Sequence, residues 1–244
     1  MVILAGVDLA WSGRKPTGVC VVKCERERVR IEALGCFDFD AAGAFGFLEA
    51  LGPNVIAGID APLVVGPNRS AEAELARAYG NRGVYAYAAR ADFLDRHGIS
   101  EGPRLGAMLA EAGWNLDPAA VAVTGRHALE VFPHATTVSL LGAARVLRYK
   151  KGRLAARHGP LAEFGALLRG WAAGAIPELA PRIEELLPSE PLPGREMKAI
   201  EDQLDAIACV AAAHHAWRNG AAGLHVFGSA GHGYIAVPRR EGLV

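Results

Sequence analysis

Cysteine is scarce in this sequence of 244 residues. The four cysteines are scattered, and no two of them have the CxxC spacing that is typical of zinc sites and redox motifs. Three of them, Cys20, Cys24 and Cys36, fall on two neighbouring predicted strands, and Cys209 lies far along the chain. We therefore expect buried free thiols, which behave as small apolar side chains.

Long apolar runs are also absent. The longest uninterrupted run covers about eight residues, 206–213, whereas a membrane-spanning helix needs about 20. The opening stretch Met1-Val-Ile-Leu-Ala-Gly-Val-Asp8 lacks the positive segment and the cleavage site of a signal peptide. The sequence therefore predicts a soluble cytoplasmic protein with no membrane partner.

Neither sign of charge is in excess, because Lys plus Arg and Asp plus Glu each total 26. A protein that wraps long nucleic acid normally carries a basic surface, so any nucleic-acid partner is expected to be short or structured. Hydrophobic residues make up 51% of the chain and charged residues 21%, which indicates a folded globular protein.

The first part of the chain has the pattern of an α/β protein. Residues 2–7, 17–23, 29–37 and 55–59 are apolar or β-branched runs that predict four strands, and helical spacing of apolar residues covers 41–51. The second and third runs predict a hairpin that follows the first strand. A mixed five-stranded sheet flanked by helices is the expected fold.

The remainder of the chain is expected to be mostly helical. Residues 64–120 predict a largely helical insertion after the fourth strand, within a single domain over 1–244. Short strands are predicted at 121–123, 128–132, 226 and 234–237, and helices at 160–172, 178–187 and 196–217. Six arginines between Arg69 and Arg104 alternate with aromatic residues, as in single-strand binders, or else the tyrosines pack inward in a helical cap.

Three acids, Glu201, Asp202 and Asp205, stand near the start of the last long predicted helix. Asp202 and Asp205 are three residues apart and therefore share one face of a helix that is otherwise apolar on all sides. An acid at a helix N-terminus complements the helix dipole, which accounts for Asp202 but not for Asp205, one turn further in. Buried carboxylates require a positive partner, so the pair indicates a bound cation.

Two further acids follow predicted strands. Asp8 ends the first strand and Asp60 follows the fourth, and ligands of α/β proteins bind at the carboxyl ends of the strands. Aspartate is also common in turns, but together with the helical pair these two residues predict one acidic site.

Six separated motifs resemble the domain-of-unknown-function family 429, whose members are described as predicted ribonuclease-H-like nucleases. They are Gly6-Val-Asp-Leu-Ala-Trp11, Gly58-Ile-Asp-Ala-Pro-Leu63, Glu130-Val-Phe-Pro-His-Ala135, Tyr149-Lys-Lys-Gly152, Lys198-x-x-Glu-Asp-x-x-Asp-Ala206 and Gly233-Tyr-Ile-x-Val-Pro238. The wider resemblance is to the Holliday-junction resolvase branch of the ribonuclease-H superfamily. It implies that Asp8, Asp60, Asp202 and Asp205 bind divalent metal, with Asp60 replacing the glutamate of the resolvases.

The resemblance therefore implies a metal-dependent phosphodiesterase that cleaves nucleic acid with Mg²⁺ or Mn²⁺, hard cations that prefer oxygen ligands. Phosphotransfer on a nucleotide or phosphosugar is an alternative on the same fold, although it requires two such domains, which a homodimer would supply. A nucleic-acid-binding protein without turnover is the second alternative.

Glu130 and His134 are additional catalytic candidates within one of these motifs. Glu130 is either a fifth acid near the metal or a strand-edge glutamate, and His134 is either a general base or phosphate ligand or a helix cap. Lys198 is expected to form an ion pair with Asp202 at i,i+4 spacing.

Three other features receive weaker predictions. His214 and His215 lie about 13 Å along the helix from Asp205, too far to share its metal. Six basic residues in 145–157 either grip a phosphate backbone or form a solvated surface. The glycine-rich stretch 228–233 lacks a nucleotide-binding spacing and predicts a turn.

Overall fold

The central sheet has five strands in the order β3-β2-β1-β4-β5. The computed structural model describes residues 1–25, 28–188, 190, 192–240 and 242. The strands are β1 (Val2–Asp8), β2 (Thr17–Cys24), β3 (Val29–Phe37), β4 (Val55–Ile59) and β5 (Arg126–Glu130). The first three pair antiparallel, whereas β4 and β5 run parallel to β1, so the predicted mixed sheet is confirmed. β1 is paired on both sides, with β2 and with β4.

Helices cover both faces of this sheet. They are α1 (Ala41–Glu49), α2 (Ala71–Tyr79), α3 (Ala91–His97), α4 (Glu101–Glu111), α5 (Pro133–Ser139), α6 (Leu154–Ala175), α7 (Leu179–Leu186) and α8 (Gly194–Asn219). α1 and α4 pack on one face, and α8 crosses β1, β2 and β4 on the other. Residues 206–213 of α8 lie between the sheet and other helices, and this segment is apolar on all sides.

A second, two-stranded sheet follows α8. β6 (Leu224–Ser229) and β7 (Gly233–Pro238) form an antiparallel hairpin around the glycine-rich turn, and a single bridge from Val131 to Ala236 joins the hairpin to the central sheet. Residues 64–120 contain α2, α3 and α4, and their description as an insertion stays a prediction. Among the described residues, every helix is too short or too polar to span a lipid bilayer.

Two details of the sequence prediction were wrong. Residues 121–123 form no strand, because the chain there leaves a short 3₁₀ helix (Pro118–Ala120) in irregular conformation before β5 begins. α6 begins at Leu154, six residues earlier than predicted, and so includes the end of the basic run. All four cysteines are free, as predicted, and Cys36 is the one that is not fully buried.

Candidate metal centre

Strand alternation brings Asp8 and Asp60 to the same face of the sheet. Leu4 of β1 and Ile56 of β4 pack in the core on the α8 side, and residues two or four positions further along share their face. Asp8 and Asp60 are therefore directed towards α8. The two strands run parallel, and the Asp60 N–H donates to Val7 O over 2.8 Å, so both acids stand at the same end of the sheet.

Three glycines allow α8 to lie directly on the strands. A Cβ atom at Gly18 would lie 2.1 Å from Asp202 O, one at Gly6 would lie 1.9 Å from Ala206 O, and one at Gly58 would lie 2.5 Å from Cys209 O. These separations are far shorter than any contact that a side chain tolerates. The absence of these Cβ atoms therefore determines how closely the acidic turn of α8 approaches Asp8, whose register partner is Gly18.

The carboxylates of Asp8, Asp202 and Asp205 form one group, called here the aspartate cluster. One oxygen from each lies within 4.8 Å of the others, and Asp202 and Asp205 are buried. The chain separates Asp8 from Asp205 by almost the whole length of the described protein. The predicted convergence of first-strand and helical acids is present in the structure.

Two lysines partly balance this cluster. Lys198 pairs with Asp202, as the i,i+4 spacing predicted. The Lys150 ammonium lies 2.6 Å from Asp205 Oδ2, and its side chain is 30% exposed. The Tyr149 hydroxyl donates to Asp205 Oδ1 over 2.6 Å. Both oxygens of the buried Asp205 carboxylate therefore have a partner, Tyr149 on Oδ1 and Lys150 on Oδ2.

The electrostatics of the site disfavour ionised acids. Burial raises the pKa of Asp8 well above its ordinary value, and the charges of Asp205, Asp60 and Asp202 raise it further, while Lys150 lowers it. Burial likewise raises the pKa of Asp60 to about 7, with Lys150 opposing the rise. For Lys150, burial lowers the pKa, but the carboxylates of Asp205, Asp8 and Asp60 outweigh burial and raise it well above the ordinary value.

The residue types suit a hard cation. The four aspartates offer carboxylate oxygens, the ligands that Mg²⁺ and Mn²⁺ prefer, and carry up to four negative charges beside two ammonium groups. Lys150 and Lys198 pair with Asp205 and Asp202, whereas Asp8 and Asp60 have no ion pair within the described residues. A cation at the aspartate cluster would supply the missing positive charge.

Asp60 lies beside the aspartate cluster without belonging to the group within 4.8 Å. Its backbone carbonyl accepts a hydrogen bond from Trp11 Nε1 over 3.0 Å, which fixes the loop after β1 against the loop after β4. Both Asp8 and Asp60 line the same cavity. The role of Asp60 as a fourth ligand stays a prediction.

Glu130 lies outside the aspartate cluster, and the register of the sheet explains why. It pairs with Ile59, which packs in the core on the α1 and α4 side, so alternation directs Glu130 to the face opposite α8. Arg69 Nη1 donates to Glu130 Oε2 over 3.1 Å and Arg69 Nε to Glu72 Oε1 over 2.7 Å. We call Arg69, Glu72 and Glu130 the Arg69 network.

His134 stands at the second position of α5 and contacts the Tyr149 ring, with 5.1 Å between ring centroids. Helix α5 begins at Pro133, so His134 lies inside the helix and does not cap a helix that starts at Thr136. Burial lowers the pKa of His134 to about 4. The imidazole is therefore uncharged near neutral pH, and both functional roles of His134, general base and phosphate ligand, stay predictions.

Sequence reasoning missed Lys150 and Tyr149 because it treated residues 145–157 as one basic surface. Arg157 donates to the Tyr149 carbonyl over 2.6 Å and pairs with Glu201 of α8, which fastens this loop to the acidic turn. The motif Tyr149-Lys-Lys-Gly152 was the available signal. His214, in contrast, packs between Trp171 and Trp217 far along α8, as expected.

A cavity of about 550 Å³ opens beside the aspartates. Its walls include acidic and basic side chains of the site, together with exposed aromatic rings from the loop before α3. The volume lies in the range of roughly 300–1,000 Å³ that is typical of small-molecule sites. Its charged lining residues are Asp8, Asp60, Glu72, Glu130, Arg69, Lys15, Lys150, Lys151 and Lys198.

The sheet order and the acids at its carboxyl end define an α/β protein of ribonuclease-H-like arrangement with a buried carboxylate cluster. The family described as "Protein of unknown function (DUF429)" matches residues 6–228, and the chain belongs to that family. No curated protein and no solved structure matches the chain.

Proposed function

We propose that the protein is a phosphodiesterase that cleaves nucleic acid with a divalent cation, Mg²⁺ or Mn²⁺, held by its aspartates. The observation that carries this proposal is the convergence of Asp8, Asp202 and Asp205 within 4.8 Å at the carboxyl end of parallel strands. Like charges repel, so a site that served only for structural ion pairs would not gather three carboxylates at one point.

Asp8, Asp202 and Asp205 would hold the cation, with Asp60 as a fourth carboxylate. When bound, such an ion polarises a phosphoryl oxygen and lowers the pKa of a water molecule. Lys150 would approach a phosphate from the cavity while remaining near Asp205. His134 would accept a proton as a neutral imidazole, and Glu130 would hold Arg69 and the loop after β4 in position.

The substrate would be a nucleic acid with a short contact region, because the chain has no net charge and the cavity is small. Phosphotransfer between nucleotides would need a second copy of the domain. No residue of the described chain specifically favours that alternative.

Thermal unfolding with and without cation tests the metal site. Millimolar Mg²⁺ or Mn²⁺ should raise the Tm, because a ligand bound only to the folded state stabilises it, and Asp8→Asn should lose most of this rise. Identical melting curves in EDTA and in Mg²⁺ would remove the metal from the proposal. Anomalous diffraction from Mn²⁺-soaked crystals should place the ion beside Asp8.

Cleavage assays test the reaction itself. Labelled DNA and RNA, single-stranded and duplex, should be cleaved in Mn²⁺ or Mg²⁺ by the parent protein and left intact by Asp8→Asn. Metal binding without cleavage of any of these substrates would favour the non-catalytic binding alternative.

A further inference from the structure

Two exposed tyrosines line the cavity beside the aspartates. Tyr85 and Tyr87, in the loop between the 3₁₀ helix Gly80–Arg82 and α3, are 65% and 67% exposed, whereas Tyr79, Tyr149 and Tyr234 are buried. A single exposed aromatic residue is ordinary, but two rings in the cavity that contains Asp8 are a concentrated apolar surface. The cavity is therefore both aromatic and charged.

Each tyrosine has a contact that limits its movement. The Tyr85 hydroxyl donates to Gly80 O over 3.2 Å. The Lys151 ammonium lies 5.7 Å from the centroid of the Tyr87 ring, within cation–π range. Rings that are already held require little ordering when a planar ligand stacks on them, so they suit a stacking surface.

The lysines of the cavity fall into two kinds. Lys150 and Lys198 pair with aspartates of the cluster. Lys15 and Lys151 form no ion pair with any carboxylate in the described ranges, and both are exposed. These two ammonium groups are therefore available to an anion that enters the cavity. Arg69, the one arginine in the cavity lining, is committed to Glu130 and Glu72.

We propose that this cavity binds an unpaired nucleotide of a single-stranded nucleic acid, with its base against Tyr85 and Tyr87 and its phosphate towards Lys151 and Lys15. Bases of a duplex are already stacked and paired, so they present no free face to these rings, whereas a single strand does. This inference names the substrate class of the proposed function, and it rests on that function for the statement that a phosphodiester bond is cleaved. Binding itself requires no turnover.

Fluorescence anisotropy with a labelled single strand of about 12 nucleotides tests the inference, with the same sequence as a duplex for comparison. Ca²⁺, which takes oxygen ligands at longer distances, replaces Mg²⁺ so that binding is followed without relying on turnover. The parent should bind the single strand more tightly than the duplex. Tyr87→Ala and Tyr85→Ala should each raise the Kd about 5- to 100-fold.

Conservative and distant variants separate stacking from a general loss of structure. Tyr87→Phe keeps the ring and should retain the parent Kd, and Val123→Ala, an exposed apolar residue outside the cavity, should also retain it. Lys151→Gln should reduce the slope of log Kd against log salt by about 0.7. The Tm of each variant should equal that of the parent, since both tyrosines are exposed.

The outcomes for the inference and for the proposed function are distinct. Equal affinity for duplex and single strand, or unchanged Kd in both alanine variants, overturns the inference and leaves any metal-dependent cleavage standing. Single-strand binding that depends on the tyrosines supports the inference even if Mg²⁺ and Mn²⁺ give no cleavage, a result that would overturn the nuclease proposal alone.

Discussion

Two groups of buried acids lie beside one cavity, and they are balanced in different ways. In the Arg69 network a planar guanidinium, 1% exposed, donates to both glutamates and to Val64 O, while Glu130 also accepts from the Leu63 N–H. In the aspartate cluster the positive charges are ammonium groups on long stems that pair with Asp205 and Asp202, and Asp8 has no ion pair within the described residues. Three acids converge there, whereas the network separates its two glutamates across one arginine.

The difference indicates different purposes. A rigid bidentate pair fixes the loop after β4 to the end of β5, because both oxygens of Glu130 accept hydrogen bonds. The aspartate cluster contains three carboxyl groups and only two paired ammonium groups, a shortage of positive charge that a bound cation would relieve. The acids of one cavity thus divide into a structural group and a group that we propose to bind a cation, according to the geometry of their partners.

The largest expected effect concerns catalysis. Asp205→Asn should reduce the rate of phosphodiester cleavage by more than about 100-fold, since loss of a residue that only supports a metal ligand already costs about 10- to 100-fold. The fold should persist, because α8 is held by its apolar faces. His215→Ala is the matched control on the same helix and should keep the parent rate. Undiminished cleavage by Asp205→Asn would exclude the aspartate cluster from the reaction.

The next effect concerns the structural group. Arg69→Met should lower the free energy of unfolding by about 3–5 kcal/mol, because it leaves Glu130 buried without its partner. Arg96→Met removes an exposed pair with Asp92 and should cost about 0–1 kcal/mol. Denaturant unfolding of both variants measures the contrast. Equal costs would show that the Arg69 network contributes no more than a surface ion pair.

Lys150 offers a way to sharpen the comparison. Lys150→Met removes one of the ammonium groups that balance the aspartates, so the metal-free Tm should fall and the rise on adding Mg²⁺ should increase. Lys151→Met removes the neighbouring ammonium, which contacts Tyr87 and no described carboxylate, and should change neither value. Thermal unfolding with EDTA and with Mg²⁺ measures both quantities. An unchanged Tm in EDTA would mean that Lys150 does not balance the cluster.

Much of this division was predictable from the sequence, and its limits have physical causes. The place of Asp8 and Asp60 in the site was predictable, because strand ends and period-two alternation are local properties of the sequence. The place of Asp202 and Asp205 was predictable because their helical spacing is also a local property. The position of Glu130 depends on the register of β5 against β4, which a single sequence does not specify. The position of Lys150 depends on a loop that Arg157 joins to Glu201, a residue far along the chain. Such long-range contacts cannot be seen in the spacing of neighbouring residues.

The smallest expected effect is a dependence on pH that differs between the parent and Asp60→Asn. Burial raises the pKa of Asp60 from its ordinary value of 3.8 to about 7 in the folded, metal-free protein. Between these two values the folded protein binds more protons than the unfolded chain, so the free energy of unfolding falls as pH rises and levels off above about 7.

The amide that replaces the carboxyl group in Asp60→Asn does not titrate. The Tm of the metal-free parent should therefore fall relative to that of Asp60→Asn from pH 4 to pH 7. With saturating Mg²⁺ this relative fall should disappear, because a nearby cation favours the ionised carboxylate and lowers its pKa. Parallel Tm curves for the two proteins in EDTA would contradict the raised pKa. The same relative fall in Mg²⁺ as in EDTA would place Asp60 outside the influence of the metal.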